Sequence, residues 1–390
     1  MTDIDFLLQE EVVSFIQDNL HTDVNALLLN PPSKFRKNIK IIVEQIIARR
    51  KAEGKLNQWL EKEGLIFPPP ISIEQASSTS TAAYKKNLLK GDMLVDLTGG
   101  SGVDTLSLHR DFEQSIYVEQ NPLLCRVFEH NRTKFDAEVQ VLNQTAEEFL
   151  SHAQHRACFY IDPARRDQSK KKVFKLEECT PNILELMPLL QRSASSVLIK
   201  LSPLLDISSI IREIAHIKEI HVVAVKNDCK EVLILLDFTS SEEPTIHAVN
   251  LETKNEALKF KASQEQSTSL EPQETGKYLY EPNTAILKAG AFKSIIERYP
   301  VKHISANTHL YTSENQVNDF PGKSFKILHQ HAKSHLDRYE GRINVLTRNY
   351  PLNANELKKR FRLKDGGTDF LIGFRDHRDK PQLVIAKRLY

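Results

Sequence analysis

The sequence predicts an α/β fold. A mostly parallel sheet is covered by helices and ends in an antiparallel last strand. A helical domain precedes it, and a small α+β unit follows. Two observations carry this. Short apolar runs alternate with stretches of helical periodicity between residues 93 and 238, the pattern of βαβ units. The last two runs are joined only by Asn227-Asp228-Cys229-Lys230. That link is too short for a crossover helix, so the pair is antiparallel.

The elements follow in order. Phe6, Leu7, Ile16 and Leu20, then Ile39, Ile42, Val43, Ile46 and Ile47, recur at helical spacing. Asn30-Pro31-Pro32 separates these two blocks, and Phe67-Pro68-Pro69-Pro70 is a stiff break. Residues 1–74 therefore read as a helical N-terminal domain. A helix over Gln75–Leu89 leads into a strand at Met93–Leu97. Further strands are expected at Ser115–Val118, Val139–Leu142, Ala157–Ile161, Ser196–Leu201, Ile220–Val225 and Glu231–Phe238. Helices are expected at Asn121–Phe135, Pro181–Gln191 and Ile207–Ile217, which makes 75–240 the sheet domain. Residues 241–319 combine a possible strand, Thr245–Leu251, a polar loop, Ser263–Thr275, and a helix, Thr284–Tyr299. Residues 320–390 read strand, helix, strand, helix, strand, strand.

Bulk composition excludes several classes. Hydrophobic residues make up 40% and charged residues 27% of the 390-residue chain, as in globular domains and unlike disordered ones. No apolar run is long enough to span a membrane. The N-terminus carries acids where a secretory signal needs Lys or Arg. Four scattered cysteines, with no C-x-x-C pair, fit a reducing cytoplasm and neither a disulfide framework nor a zinc site. His329, His331 and His335 have no acidic third ligand nearby in sequence, so no metal is expected. Net charge is +2 overall. Residues 320–390 hold 16 Lys and Arg against 7 Asp and Glu, a net +9, while the other 319 carry a net −7. An acidic body with a basic end suggests a nucleic-acid partner.

The turn Asp96-Leu97-Thr98-Gly99-Gly100-Ser101-Gly102-Val103-Asp104 follows the first strand and opens a helix. Its glycines permit a tight turn and a close ligand approach. Thr105 stands where a dinucleotide fingerprint needs its third glycine. Glu119 ends the second strand, in Glu119-Gln120-Asn121-Pro122. A carboxylate there can accept from both hydroxyls of an adenosine ribose, or it can simply cap the helix. The fourth strand exits through Asp162-Pro163-Ala164-Arg165-Arg166, and the fifth through Lys200-Leu201-Ser202-Pro203. Both exits lie where open α/β sheets bind ligands. Arg165, Arg166 and Lys170-Lys171-Lys172 read either as phosphate contacts or as a solvated loop.

These segments resemble one family: the class I S-adenosylmethionine (SAM)-dependent methyltransferases of Bacteroidetes with a C-terminal THUMP-like domain. Asp96 to Asp104 resembles their motif I, with Thr98 in place of the usual first glycine. Asp162-Pro163 is similar to the D/N-P-P-x motif of enzymes that methylate base nitrogens. Tyr280 to Gly290 resembles a small ferredoxin-like segment, and 320–390 resembles the THUMP-like domain itself. The resemblance implies a Rossmann-like sheet and S-adenosyl-L-methionine as cofactor. It implies a cofactor site at Asp96, Thr98, Gly99, Gly100, Gly102, Asp104, Glu119, Gln120, Thr145 and Asp162. Thr145 stands where an Asp commonly reads the adenine. Asp162, Pro163 and Arg165 would be catalytic. The missing aromatic at Arg165 favours guanine in tRNA or rRNA over adenine or cytosine as the target. Two other readings stay open: a non-catalytic RNA-binding protein that retains SAM, and a methyltransferase for a small molecule or protein. An NAD enzyme fits least, because the glycine spacing fails.

Overall fold

The computed structural model describes residues 3–153, 156–165, 175–267, 270–305 and 307–389. The chain divides into two compact units, residues 1–218 with 233–242, and residues 219–232 with 243–390. No helix among the described residues is long and apolar enough to cross a membrane.

The first unit carries the expected parallel strands. They are β1 (Met93–Asp96), β2 (Gln114–Val118), β3 (Gln140–Leu142), β4 (Ala157–Ile161) and β5 (Ala194–Leu201). Their order is β3-β2-β1-β4-β5, with every pairing parallel. All five residues of β4 are buried, as a strand with both faces covered requires. Two further strands, β6 (Ile217–Val225) and β7 (Asp228–Leu236), form the hairpin. Its turn is Lys226-Asn227, one position earlier than expected. Both residues have positive φ, 48° and 68°, as a two-residue type I′ turn needs. β7 lies beside β5, so the last strand is inserted next to the fifth.

The helix expected over Gln75–Leu89 is instead two short helices, Pro70–Gln75 and Thr79–Lys85. Pro70 starts the first. The second begins at Ser78, whose hydroxyl accepts from the Thr81 amide in a capping box. The expected limit at residue 74 falls inside this unit. Ala48, Ala52, Trp59, Phe67 and Ile73 share one core with Val103, Tyr117 and Phe128. A second cluster joins Ile16, Phe35, Ile42 and Ile46 to Val127.

Two buried amide side chains fix the segment between these clusters. Asn131, on the helix Pro122–Lys134, accepts from the Ile66 amide (3.1 Å) and donates to the Ile66 carbonyl (2.7 Å). Gln45 treats Phe67 alike, accepting at 3.0 Å and donating at 2.7 Å. Each side chain thus replaces a missing strand partner for backbone that would otherwise be buried unpaired.

In the second unit, β6 pairs in parallel with β8 (Thr245–Leu251), and β8 pairs antiparallel with β9 (Leu258–Lys261). Within the expected loop 263–275, Ala262–Ser267 is helical. The helix expected over Thr284–Tyr299 breaks at Gly290, where φ is 75°, into Thr284–Ala289 and Ser294–Arg298. A separate seven-stranded sheet follows. It uses β10 (Tyr278–Pro282), β11 (Lys302–His303), β12 (Tyr311–Ser313), β13 (Gly322–His329), β14 (Asn344–Arg348), β15 (Asp369–Arg375) and β16 (Pro381–Arg388). The order is β11-β12-β10-β13-β16-β15-β14, antiparallel except for β14 with β15. The helix Ala354–Phe361 connects that parallel pair. Alternate residues of β16 serve opposite faces: Val384 and Ala386 enter one core, Leu383 and Ile385 the other.

Replacing Asn131 by Ala strands the amide and carbonyl of Ile66. Each lost pairing costs about 1–3 kcal/mol, so Asn131→Ala should lower urea-unfolding stability by about 2–6 kcal/mol. A loss under about 0.5 kcal/mol would show that these bonds do not hold the segment.

Candidate functional site

A cleft of about 300 Å³ opens at the carboxyl ends of β1, β2 and β4 in the first unit. Asp96, the last residue of β1, is buried, and its carboxylate is fully engaged. Oδ1 accepts from the Thr98 amide at 3.0 Å, and Oδ2 accepts from the Thr105 hydroxyl at 2.5 Å. The carboxylate therefore bends the chain after β1 and anchors the first turn of the next helix. Burial, resisted by these two hydrogen bonds and reinforced by the nearby Asp104 and Asp162, raises its pKa to about 7.

Thr98 departs from the motif I glycine, and its hydroxyl does work that glycine cannot do. It accepts from the Asp162 amide at 2.6 Å. The turn after β1 is thereby tied to the exit of β4. Asp162 in turn forms an ion pair with Lys200, through Oδ2.

Two of the glycines are dictated by an aromatic stack. Tyr117 and Phe128 lie face to face, with ring centroids 3.9 Å apart and planes 5° apart. A Cβ on Gly99 would sit 2.2 Å from the Tyr117 ring, and one on Gly102 2.2 Å from the Phe128 ring. Gly102 also has φ 78° and starts the helix Val103–Leu108. The Tyr117 hydroxyl donates to the Gly100 carbonyl at 2.8 Å. Gly100, at φ 55°, meets nothing nearer than 3.5 Å in the direction of a Cβ, so a ligand can approach its backbone.

Glu119 lies half-buried at the end of β2. One oxygen accepts from the Gly100 amide at 2.9 Å, the other from the Asn121 amide at 2.7 Å. Each retains a lone pair for a hydroxyl donor. Gln120 lines the cleft beside it. Thr145 lines it too, while its side chain caps the helix Ala146–His152 in a box with Glu148.

Asp104 borders the cleft and belongs to a buried network. Its Oδ2 accepts from Ser77 and Tyr160, both at 2.8 Å, and its Oδ1 lies 3.2 Å from the buried Lys85 ammonium. Burial pushes its pKa up, but the charges of Lys85 and Lys200 and these two hydrogen bonds bring it below the ordinary carboxylate value.

The cleft thus brings together Asp96, Thr98, Gly99, Gly100, Asp104, Glu119, Gln120, Thr145 and Asp162. Gly102 stands behind it, under Phe128. The backbone of Arg165 pairs with Cys179 in a short antiparallel ladder that begins at Ala164, a cleft residue. Arg166 and Lys170 to Lys172 lie outside the described residues. Sequence reading missed Ser72, Gln75 and Ala76, which enter the wall from the N-terminal helices, and Thr180 and Pro181. No spacing signal marks them, since tertiary packing alone brings them to the strand ends.

The site suits SAM by its donor and acceptor set. A carboxylate with spare lone pairs suits a ribose diol, and the open backbone at Gly100 admits close approach. A family model for a THUMP domain-like module matches residues 322–388, and one for a ferredoxin-like domain matches 278–321. A solved structure from Porphyromonas gingivalis W83, described as that of a candidate methyltransferase, is 30% identical, covers 100% of both chains and superposes with a TM-score of 0.88. A candidate class I SAM-dependent methyltransferase from Listeria monocytogenes is 10% identical over 62% of this chain and 94% of its own, at a TM-score of 0.35. An rRNA methylase from Streptococcus thermophilus is 10% identical over 40% of this chain and 93% of its own, at 0.31. No curated protein sequence matches the chain.

The raised pKa of Asp96 sets a pH dependence. Folded chain keeps this proton up to about pH 7, whereas unfolded chain releases it near 3.8. The contribution to stability is full below the lower value, falls as pH rises between the two, and is flat above the higher. Asp96→Asn abolishes that titration. The difference in urea-unfolding free energy between wild type and Asp96→Asn should therefore change steadily between about pH 4.5 and 7. A constant difference across that window would refute the assignment.

Proposed function

The chain belongs to the family of class I SAM-dependent methyltransferases with a C-terminal THUMP-like domain, and from that premise we propose that it methylates a base nitrogen in tRNA or rRNA. The observation that carries this reading is the tie between the cofactor turn and the Asp-Pro exit, made by Thr98 to Asp162. It holds the group expected to grip the target amine at a set distance from the turn expected to hold the cofactor. Fixed positioning is what an in-line displacement needs most.

Glu119 would hold the ribose hydroxyls of the cofactor, and the open backbone at Gly100 would admit it. When bound, SAM would supply a sulfonium methyl for in-line attack by the nitrogen lone pair, the C–S bond breaking as the N–C bond forms and S-adenosylhomocysteine leaving. Asp162 accepts a hydrogen bond from the target amine. Lys200 holds Oδ2 of this carboxylate, which leaves Oδ1 for the amine. The carboxylate stabilises the positive charge that develops on nitrogen and can take the proton released as the N–C bond forms. Pro163 stiffens the backbone at this exit.

The RNA substrate is supported by the THUMP-like match over 322–388 and by the net charge of +9 over 320–390. Lys358, Lys359 and Arg360 add a basic last turn to the helix Ala354–Phe361. Guanine is the favoured base, because Arg165 replaces the aromatic that stacks on adenine or cytosine in related motifs.

Glu119→Ala should weaken SAM binding by about 10- to 100-fold, as expected for the loss of hydrogen bonds to a charged acceptor. Calorimetry reads this directly, and unchanged affinity would remove Glu119 from the cofactor site. Total RNA from a strain lacking the gene, incubated with tritiated SAM and the protein, should be labelled in one RNA species. Asp162→Ala should cut that rate by about 100-fold or more. Label entering only protein or small molecules would overturn the RNA reading. SAM binding without any transfer would favour a sensing role.

A further inference from the structure

A second cluster of chemistry-bearing side chains lies in the second unit. Glu219 and His221 are two residues apart on β6, so they share one face. The parallel register sets His247 of β8 directly against His221. Both histidines are buried, at 2% and 9% exposure, while the Glu219 side chain keeps 29%. The imidazoles stack with centroids 4.3 Å apart. Glu219 Oε2 lies 2.9 Å from His221 Nε2 and 3.6 Å from His247 Nε2. The second distance is too long for a hydrogen bond.

These separations match a metal's ligand shell. Ligand atoms about 2.0–2.1 Å from a tetrahedral Zn²⁺ stand about 3.3 Å from one another. The two observed distances bracket that value. All three ligand atoms lie within 4.8 Å of one another. We propose that Glu219, His221 and His247 bind one Zn²⁺, which joins β6 to β8 and leaves its fourth position to water. Two imidazoles and one carboxylate are a donor set that Zn²⁺ favours. The site departs from the metal-free expectation, because its ligands are distant in sequence and only the β6–β8 register brings them together. It does not rest on the methyltransferase reading.

The test uses the full-length protein, stripped with a chelator and titrated with Zn²⁺ against a chromophoric competitor of micromolar affinity. One equivalent should bind at micromolar affinity or tighter. His247→Ala and Glu219→Gln should each weaken binding by about 100-fold or more. Co²⁺ should give the intense visible bands of tetrahedral coordination in wild type and not in His247→Ala. If His247→Ala misfolds, Glu219→Gln decides, because it keeps the shape and a hydrogen-bonding partner. Near-UV circular dichroism of Glu219→Gln verifies its fold. No binding by wild type, or full binding by a folded Glu219→Gln, would overturn the proposal. The latter result would place the zinc elsewhere, among the cysteines or at His329 and His335.

Discussion

The cleft rests on one buried carboxylate. Asp96 sits at the end of the central strand with both oxygens committed to its own chain. One holds the Thr98 amide and the other holds the Thr105 hydroxyl. A buried carboxyl is costly unless it is hydrogen-bonded or protonated. The turn therefore has strong reason to keep this one shape. Everything else in the site is placed relative to it: the Gly100 amide facing Glu119, the Thr98 hydroxyl facing Asp162, and the helix that carries Asp104.

A second constraint works from the opposite side. The Tyr117–Phe128 stack fills the space behind the turn, and only glycine fits at positions 99 and 102. The glycines are thus explained by protein packing at those two positions and by the left-handed backbone at Gly100, where φ is 55°. The N-terminal helices complete the wall. They are anchored to the sheet by shared apolar core and by the Lys85–Ser77–Asp104 network. Removing either charge of that buried ion pair would leave the other uncompensated.

Much of this was legible in the sequence. Alternating periodicity located the five parallel strands, because buried strands between covering helices are apolar along their whole length. The short link after Val225 announced the antiparallel hairpin. Asp96, Glu119 and Asp162 could be singled out because each ends a strand, where side chains meet the crevice. Helix limits were less legible. Gly290 and the Ser77-Ser78 segment break what periodicity alone reads as continuous, since backbone conformation and capping decide there.

By itself, the sequence determined the order of elements, the strand ends that face the cleft, and the separation of an acidic body from a basic end. These are local properties: periodicity, turn chemistry and charge are readable within a few residues. Only the tertiary structure decided three other things. It linked Thr98 to Asp162 across 64 positions. It brought Ser72, Gln75 and Ala76 to the cleft wall. It aligned Glu219 and His221 with His247 through the register of β6 and β8. Each of these is a contact between distant segments, set by how whole faces pack, and no local spacing encodes it.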